Sequence, residues 1–110
     1  MMATPLEEIT NRQQMELLCH SFPSLRGAAG TAPWDQLAFA RWAHGGHMTN
    51  GSRMAAAFVL AVWNGQQTSD AWWTKRPYRV PLFDLTYAWS VWDAYHKVAF
   101  LQWCHAPFYP

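Results

Sequence analysis

Cysteine and histidine are the side chains of this sequence that could bind a metal ion. Each cysteine is followed directly by a histidine, in Cys19-His20 and in Cys104-His105, and a third candidate pair is His44-x-x-His47. Zinc takes Cys and His ligands in tetrahedral sets. However, there is no Cys-x-x-Cys pair, and adjacent residues on a helix point about 100° apart, so a Cys-His dipeptide chelates poorly. The sequence therefore predicts no metal site and no cofactor.

The same cysteines are the candidates for covalent catalysis. Cys19 or Cys104 could meet a histidine and an aspartate in space and form a triad. The sequence has no nucleophile elbow, no Gly-rich phosphate loop and no paired-carboxylate motif. Of its seven acidic residues, Glu7, Glu8 and Glu16 are typical of a solvated helix face. We therefore predict no catalytic residue and a non-enzymatic protein.

The densest group of cations and aromatic rings forms a basic–aromatic loop. Its residues are Trp72, Trp73, Lys75, Arg76, Tyr78 and Arg79, and they include three of the chain's eight Lys and Arg residues. Rings beside cations suit single-stranded nucleic acid. They also suit a protein interface, or a loop held by its own cation–π contacts. Because neighbouring Trp72 and Trp73 cannot share one face, we expect one to anchor the loop and the other to contact a ligand.

Composition restricts the class of function further. Charged residues make up 14% of the 110 residues, against roughly 25% in ordinary globular proteins, while there are 8 Trp, 6 Phe and 4 Tyr. We expect this aromatic area to exceed one small core and to reach the surface, where apolar patches usually mark a partner. A net charge of +1 gives no global attraction to nucleic acid or to a membrane.

The first residues, Met1 to Glu8, have neither the basic nor the apolar region of a signal peptide. With only two cysteines in the chain, this predicts reduced thiols and a cytoplasmic location.

The hydrophobic pattern predicts an all-α protein, a single small domain of four to five helices around a buried central helix at about 51–63. Met54–Trp63 is an unbroken apolar run that is longer than most strands. Thr49 or Asn50 can cap its start, and Gly65 can end it. A helix that is apolar all round is a buried one. The run is too short to span a bilayer, which needs about 20 apolar residues.

Five further segments surround this helix in the prediction. A first helix runs from a Thr4 cap to about His20, and a second runs from Trp34 to His44. Ala71–Pro81 is predicted as an ordered loop with an extended piece at 78–80. Asp84 caps a helix that reaches Trp92, and Asp93 either caps or continues the last one, to about His105. The domain covers 1–110, with short tails at 1–4 and 106–110.

A short sequence pattern, which we call the internal echo, occurs in two of these helices. Ala38-Phe39-x-x-Trp42-x-His44 recurs as Ala99-Phe100-x-x-Trp103-x-His105, and each copy follows a Trp-Asp pair. The echo is either a duplication or a coincidence in a Trp-rich chain. In both cases the Phe and Trp of each copy share a helix face and are predicted to pack together.

The last helix has two apolar stripes, Ala94/Val98/Leu101/His105 and His96/Phe100/Trp103. One helix of a small domain rarely buries both stripes against its own core. We therefore expect one stripe, or the tail Phe108-Tyr109, to contact a second chain.

These patterns favour a small non-enzymatic protein-binding or adaptor domain that acts through an exposed aromatic surface, with another copy of itself among the candidate partners. The alternative is a nucleic-acid-binding module that uses the loop 72–79. No membrane association is expected. The predicted contact residues are Trp72, Trp73, Lys75, Arg76, Tyr78, Arg79, Phe100, Trp103, Phe108 and Tyr109.

Overall fold

The computed structural model describes residues 3–45, 48–65 and 71–108, with the side chains of the first helix described from Asn11 onward. It contains five α-helices: α1 (Ala3–Ser21), α2 (Gln36–His44), α3 (Asn50–Asn64), α4 (Leu85–Val91) and α5 (Ala94–His105). Two 3-10 turns, Pro23–Leu25 and Trp72–Thr74, lie between them. The described residues form no strand, which confirms the all-α prediction.

The central helix α3 begins and ends at the predicted signals. Thr49 Oγ1 accepts a hydrogen bond from Ser52 N at 3.1 Å and caps the first turn. Gly65 adopts a left-handed conformation with φ of 77° and donates its N–H to Ala61 and Val62. Nearly every residue from Met54 to Val62 is buried. Helices α1, α2 and α4 and the first 3-10 turn all contact α3, so the prediction of a buried central helix is confirmed.

Phe58 of α3 holds the largest group of aromatic rings together. The rings of Phe22, Phe83, Phe100 and Trp103 lie 5.1 to 5.9 Å from it, mostly edge-on or tilted. Such pairs each add about 0.5–1.5 kcal/mol beyond their buried area. These rings come from α3, from α5, from Phe22 just after α1 and from the segment before α4, so this cluster joins most of the chain.

The tryptophans are more buried than their number suggests. Trp34, Trp73 and Trp92 are buried, and four more are half-buried against the core. Trp89 is the one exposed tryptophan of the eight. The expectation that aromatic area would reach the surface is therefore only partly right, because most of the indole rings pack in or against the core, while Tyr87, Trp89 and Tyr95 are exposed.

Aspartate side chains cap the N-termini of three of the helices. Asp84 Oδ1 accepts from Tyr87 N, and Asp93 Oδ1 accepts from His96 N, as predicted for α4 and α5. Helix α2 starts at Gln36 rather than at Trp34, because extended Asp35 caps it by accepting from the N–H groups of the next turn. Trp34 precedes the helix.

Glu16 lies in a different environment from the solvated face predicted for it. Its side chain is half-buried, and Oε2 accepts the backbone N–H of Trp34 at 3.0 Å. This hydrogen bond ties α1 to the segment that leads into α2. Along residues 3–45, 48–65 and 71–108, no helix has the length and apolarity needed to cross a membrane.

Replacing Phe58 with alanine tests the central cluster. Truncating a fully buried Phe costs about 3–5 kcal/mol, a large part of the about 5–15 kcal/mol available to a whole domain. We expect Phe58→Ala to be marginal or unfolded in urea titrations. Trp63→Ala should cost less, since Trp63 is only half-buried. Leu17→Ala, at a side chain 69% exposed, is the control and should unfold like the wild type. Equal midpoints for Phe58→Ala and the control would contradict this account of the core.

Candidate docking surfaces

The clearest exposed apolar surface lies on the last two helices. Leu85 and Trp89 of α4 and Val98 and Leu101 of α5 are each between 40 and 52% exposed. We call these four residues the α4–α5 face. Helix α4 has no charged residue, and Lys97 is the only Lys, Arg, Asp or Glu in α5. Interface cores are depleted in charged residues in the same way.

Two open depressions meet on this face at Leu101. The first lies between α4 and α5 and measures about 600 Å³. The second lies along α5 and measures about 490 Å³. The first is lined by Leu85, Thr86, Trp89, Ser90, Phe100 and Leu101, and the second by Val98, Leu101, Gln102 and His105.

Lys97 marks a polar edge of the face. Its ammonium nitrogen lies 5.1 Å from the centre of the Trp89 ring, a cation–π contact. The contact holds the indole of Trp89 against α5. The face thus has an apolar centre with a cation at its edge, which is the usual layout of a protein interface.

The two stripes of α5 have different environments. His96 is buried, and Phe100 and Trp103 are half-buried with their rings against Phe58. The other stripe, Ala94/Val98/Leu101/His105, is exposed along its whole length. The prediction that α5 cannot bury both stripes against its own core is confirmed. The exposed stripe is Ala94/Val98/Leu101/His105, and the stripe with Phe100 and Trp103 faces the core.

The predicted contact residues of the C-terminal region lie mostly behind this face. Phe100 forms part of the wall of the larger depression, while Trp103 and Phe108 line a smaller hollow of about 200 Å³ beside α1. Tyr109 lies outside the described residues. Val98 and Leu101 were missing from the predicted contact residues, although their place in the outer stripe was a signal that could have identified them.

The basic–aromatic loop is anchored by one of its two tryptophans. Trp73 is 1% exposed, and its carbonyl accepts from Val80 N at 2.8 Å, which closes the loop at its base. Trp72 is half-buried and meets the rings of Trp73 and Tyr78 edge-on at 5.8 and 5.2 Å. The expectation of a single anchor is confirmed, and the second ring already has two ring partners within the loop.

The extended piece predicted at 78–80 is wrong for its first two residues. The N–H groups of Tyr78 and Arg79 both donate to the carbonyl of Lys75, at 2.9 and 3.0 Å, which bends the chain into a turn. Arg79 is left-handed, with φ of 50°. His44 Nδ1 lies 2.7 Å from the Tyr78 carbonyl and joins this turn to the end of α2. Proline-rich sequence favoured extension, but the Lys75 carbonyl provides a local turn acceptor instead.

The loop cations lie at its exposed tip. Lys75, Arg76 and Arg79 are all exposed. The guanidinium groups of Arg76 and Arg79 make no hydrogen bond or ion pair with the residues that the structure describes. They are therefore available to an acidic surface.

The cysteines differ in reactivity. Cys19 is buried in α1, and burial raises the pKa of its thiol to about 12. It therefore remains a protonated, weakly nucleophilic thiol at neutral pH. Cys104 is exposed on α5. No group of three or more His, Cys, Asp or Glu residues that could hold a metal ion occurs within the described ranges, and His47 lies outside them.

Comparisons with known proteins identify no relative: no family model, no curated protein and no solved structure matches this chain.

The two thiols provide a test of the burial of α1. Because thiolate is the reacting species and Cys19 stays protonated well above pH 9, we expect a thiol reagent to label one cysteine per native chain at pH 7–9. Both should react in denaturant. Cys104→Ser should abolish native labelling. Native labelling of Cys19 at the rate of Cys104 would show that α1 does not bury it.

Substituting the loop arginines tests whether they support the fold. Because both arginines are exposed, we expect Arg76→Ala with Arg79→Ala to keep the wild-type circular dichroism and to melt within about 2 °C of it. Trp73→Ala is the contrasting variant, and truncation of this buried ring should cost about 3–5 kcal/mol. A collapsed fold in the arginine variant would show that these cations are structural.

Proposed function

We propose that this protein is a small protein-binding domain that pairs with a second copy of itself through the α4–α5 face. The observation that carries the proposal is the exposed α5 stripe together with the hollow beside it. The two free cysteines, Cys19 and Cys104, are compatible with a reducing compartment such as the cytoplasm.

The hollow on α5 has the form of a site for a helix side chain. Its four residues, Val98, Leu101, Gln102 and His105, stand at positions i, i+3, i+4 and i+7 of one helix. In knobs-into-holes packing, a side chain of one helix inserts between four residues of the facing helix, and neighbours three and four apart enclose such a hole. A helix is therefore the partner that this surface fits.

The stripe on α5 is complementary to itself. Its residues Ala94, Val98, Leu101 and His105 are spaced by four, three and four, the spacing of a coiled-coil seam. This pattern is symmetric about the middle of α5, between Ala99 and Phe100. Two antiparallel copies of α5 would place Val98 of one against Leu101 of the other, and Val98 would lie over the facing hollow. A two-fold dimer uses one patch twice in this manner.

Charge favours the antiparallel direction. In a parallel pair, Lys97 of one copy would lie level with Lys97 of the other, and the two Asp93 carboxylates would also lie level. In an antiparallel pair the lysines move apart, and Asp93 lies towards the end of the second helix, where His105 stands. Separation of like charges at an interface lowers the free energy of association.

The size of the surface limits the affinity. Helix α5 has 12 residues and is about 18 Å long, while a stable interface buries about 800 Å² on each partner. Leu85 and Trp89 of α4 must therefore be covered as well. With so few anchors, we expect a dissociation constant on the order of micromolar rather than nanomolar.

Nucleic-acid binding by the loop 72–79 is the less favoured function. Base stacking needs an open aromatic face, and Trp72 already contacts the rings of Trp73 and Tyr78. The exposed cations suit an acidic protein surface equally well. Salt separates the two functions, because phosphate contacts weaken steeply with ionic strength while apolar pairing does not.

Solution mass tests the dimer. We expect sedimentation equilibrium from about 1 µM to about 1 mM to show a monomer–dimer transition that is nearly independent of salt. Leu101→Lys should shift it at least tenfold to higher concentration. Its matched control is Leu37→Lys, at a leucine of α2 that is 49% exposed, against 52% for Leu101. A wild-type monomer over the whole range, or equal shifts in both variants, would refute self-pairing.

A further inference from the structure

Three side chains from two distant segments form a chain of hydrogen bonds at the start of α5. His96 Nδ1 lies 2.8 Å from Asp93 Oδ1, and His96 Nε2 lies 2.6 Å from Ser24 Oγ. The carboxylate can only accept, so Nδ1 carries a proton, and in the neutral ring Nε2 is then an acceptor. The Ser24 hydroxyl donates to Nε2. Serine, histidine and carboxylate thus stand in the order used for nucleophilic acyl transfer, an arrangement recognised by geometry rather than by sequence position.

Asp93 is well fixed for the role of orienting carboxylate. Its Oδ1 also accepts the backbone N–H of His96 at 2.9 Å as the cap of α5. These hydrogen bonds, first from the backbone and then from the side chain of His96, lower the pKa of Asp93. The carboxylate therefore stays ionised at neutral pH and holds the proton on Nδ1.

The imidazole of His96 is also fixed. It is 7% exposed, with the rings of Phe22 and Trp92 centred 5.8 and 6.4 Å away. Ser24 approaches it from the 3-10 turn Pro23–Leu25, which follows α1. The packing of these two rings limits rotation of the imidazole and keeps Nε2 directed at the serine.

Ser24 also borders an open cavity of about 380 Å³, within the range of roughly 300–1,000 Å³ that is typical of small-molecule sites. Trp42 and Met48 give this cavity an apolar wall, and Arg41 and Ser52 add polar groups. Ser52 Oγ accepts from Thr49 Oγ1 at 3.1 Å, so the hydroxyl proton of Ser52 is available to a ligand. The cavity thus offers space for an acyl group and a candidate donor for an oxyanion.

We infer that Ser24, His96 and Asp93 form a nucleophilic site that hydrolyses small carboxylic esters, with the acyl group held in the cavity beside Ser24. Ser24 is the nucleophile, His96 the general base and acid, and Asp93 a positioning residue. None of the three belongs to the α4–α5 face, so the inference does not depend on the dimer.

The reaction needs only the ester and water. Ser24 Oγ attacks the carbonyl carbon while its proton passes to His96 Nε2. The bond from carbon to the alcohol oxygen breaks, and that oxygen takes the proton from Nε2, which leaves an acyl ester on Ser24. Water then attacks the acyl carbon and gives a proton to Nε2. The bond to Oγ breaks, Oγ regains the proton, and the carboxylic acid leaves.

The test is active-site labelling of the intact wild-type protein with a fluorophosphonate, followed by intact mass and peptide mapping. We expect one adduct per chain, on Ser24, and hydrolysis of p-nitrophenyl butyrate that the label abolishes. Ser24→Ala should lose the adduct and at least 100-fold of the hydrolysis rate. Its matched control is Ser21→Ala, since Ser21 is a half-buried serine whose hydroxyl donates to the Leu18 carbonyl.

Asp93→Asn separates orientation from folding. Asparagine caps a helix as well as aspartate does, so the melting temperature should stay near that of the wild type. An asparagine at position 93 does not hold the proton on Nδ1 of His96, so labelling of Ser24 should slow by on the order of 10²–10⁴-fold. A structural role alone would leave the labelling rate unmoved.

Two results would overturn the inference. One is a native, folded wild type that gives no Ser24 adduct with excess fluorophosphonate. The other is a Ser24→Ala protein that hydrolyses the ester as fast as the wild type, which would assign the reaction to exposed histidines. The wild-type mapping does not depend on whether any variant folds.

Discussion

Burial of α3 on almost all of its sides is the constraint on which the rest of this structure depends. A helix with no polar face between Met54 and Val62 has to be covered on every side, and a chain of 110 residues has few elements with which to do so. Helices α1, α2 and α4 and a 3-10 turn contact it directly, and α5 reaches it through Phe100 and Trp103 on Phe58. Large rings cover more area per residue than aliphatic side chains, which explains why so small a domain carries eight tryptophans and keeps seven of them at least half-buried.

Most of the few acidic side chains of this protein accept hydrogen bonds from backbone N–H groups. Asp35, Asp84 and Asp93 each satisfy N–H groups at the start of a helix, and Glu16 accepts the N–H of Trp34. Four of the seven acidic residues are thus committed to backbone donors. This leaves α4 and α5 with Lys97 as their single charged side chain, so the outer face formed by the two helices is apolar. The same use of carboxylates places Asp93 beside His96.

Local signals predicted much of this fold, and contacts between distant residues account for part of what they missed. The caps at Thr49, Asp84 and Asp93 and the end at Gly65 could be identified because the cap and the helix it serves are neighbours in sequence. The start of α2 was misplaced by two residues although its cap, Asp35, is a local signal, whereas the half-buried environment of Glu16 was missed because its partner Trp34 lies 18 residues later. The turn at Tyr78 and Arg79 depends on the carbonyl that accepts their N–H groups, which is that of Lys75, and the sequence pattern does not specify this acceptor. Ser24 and His96 are 72 residues apart, and neither stands in a motif, so no sequence pattern could have paired them.

The position of α5 connects the two surfaces proposed for this protein. Its first turn is held by the Ser24–His96–Asp93 chain, and the preceding Trp92 donates from Nε1 to the Gly51 carbonyl of α3 at 3.0 Å. These bonds, together with Phe100 and Trp103 against Phe58, fix the rotation of α5 about its own axis. Once His96 faces the core, residues two and five positions further along, Val98 and Leu101, must face outwards, because a helix turns about 100° per residue. The hydrogen bonds that orient the imidazole thus also determine which stripe of α5 is exposed.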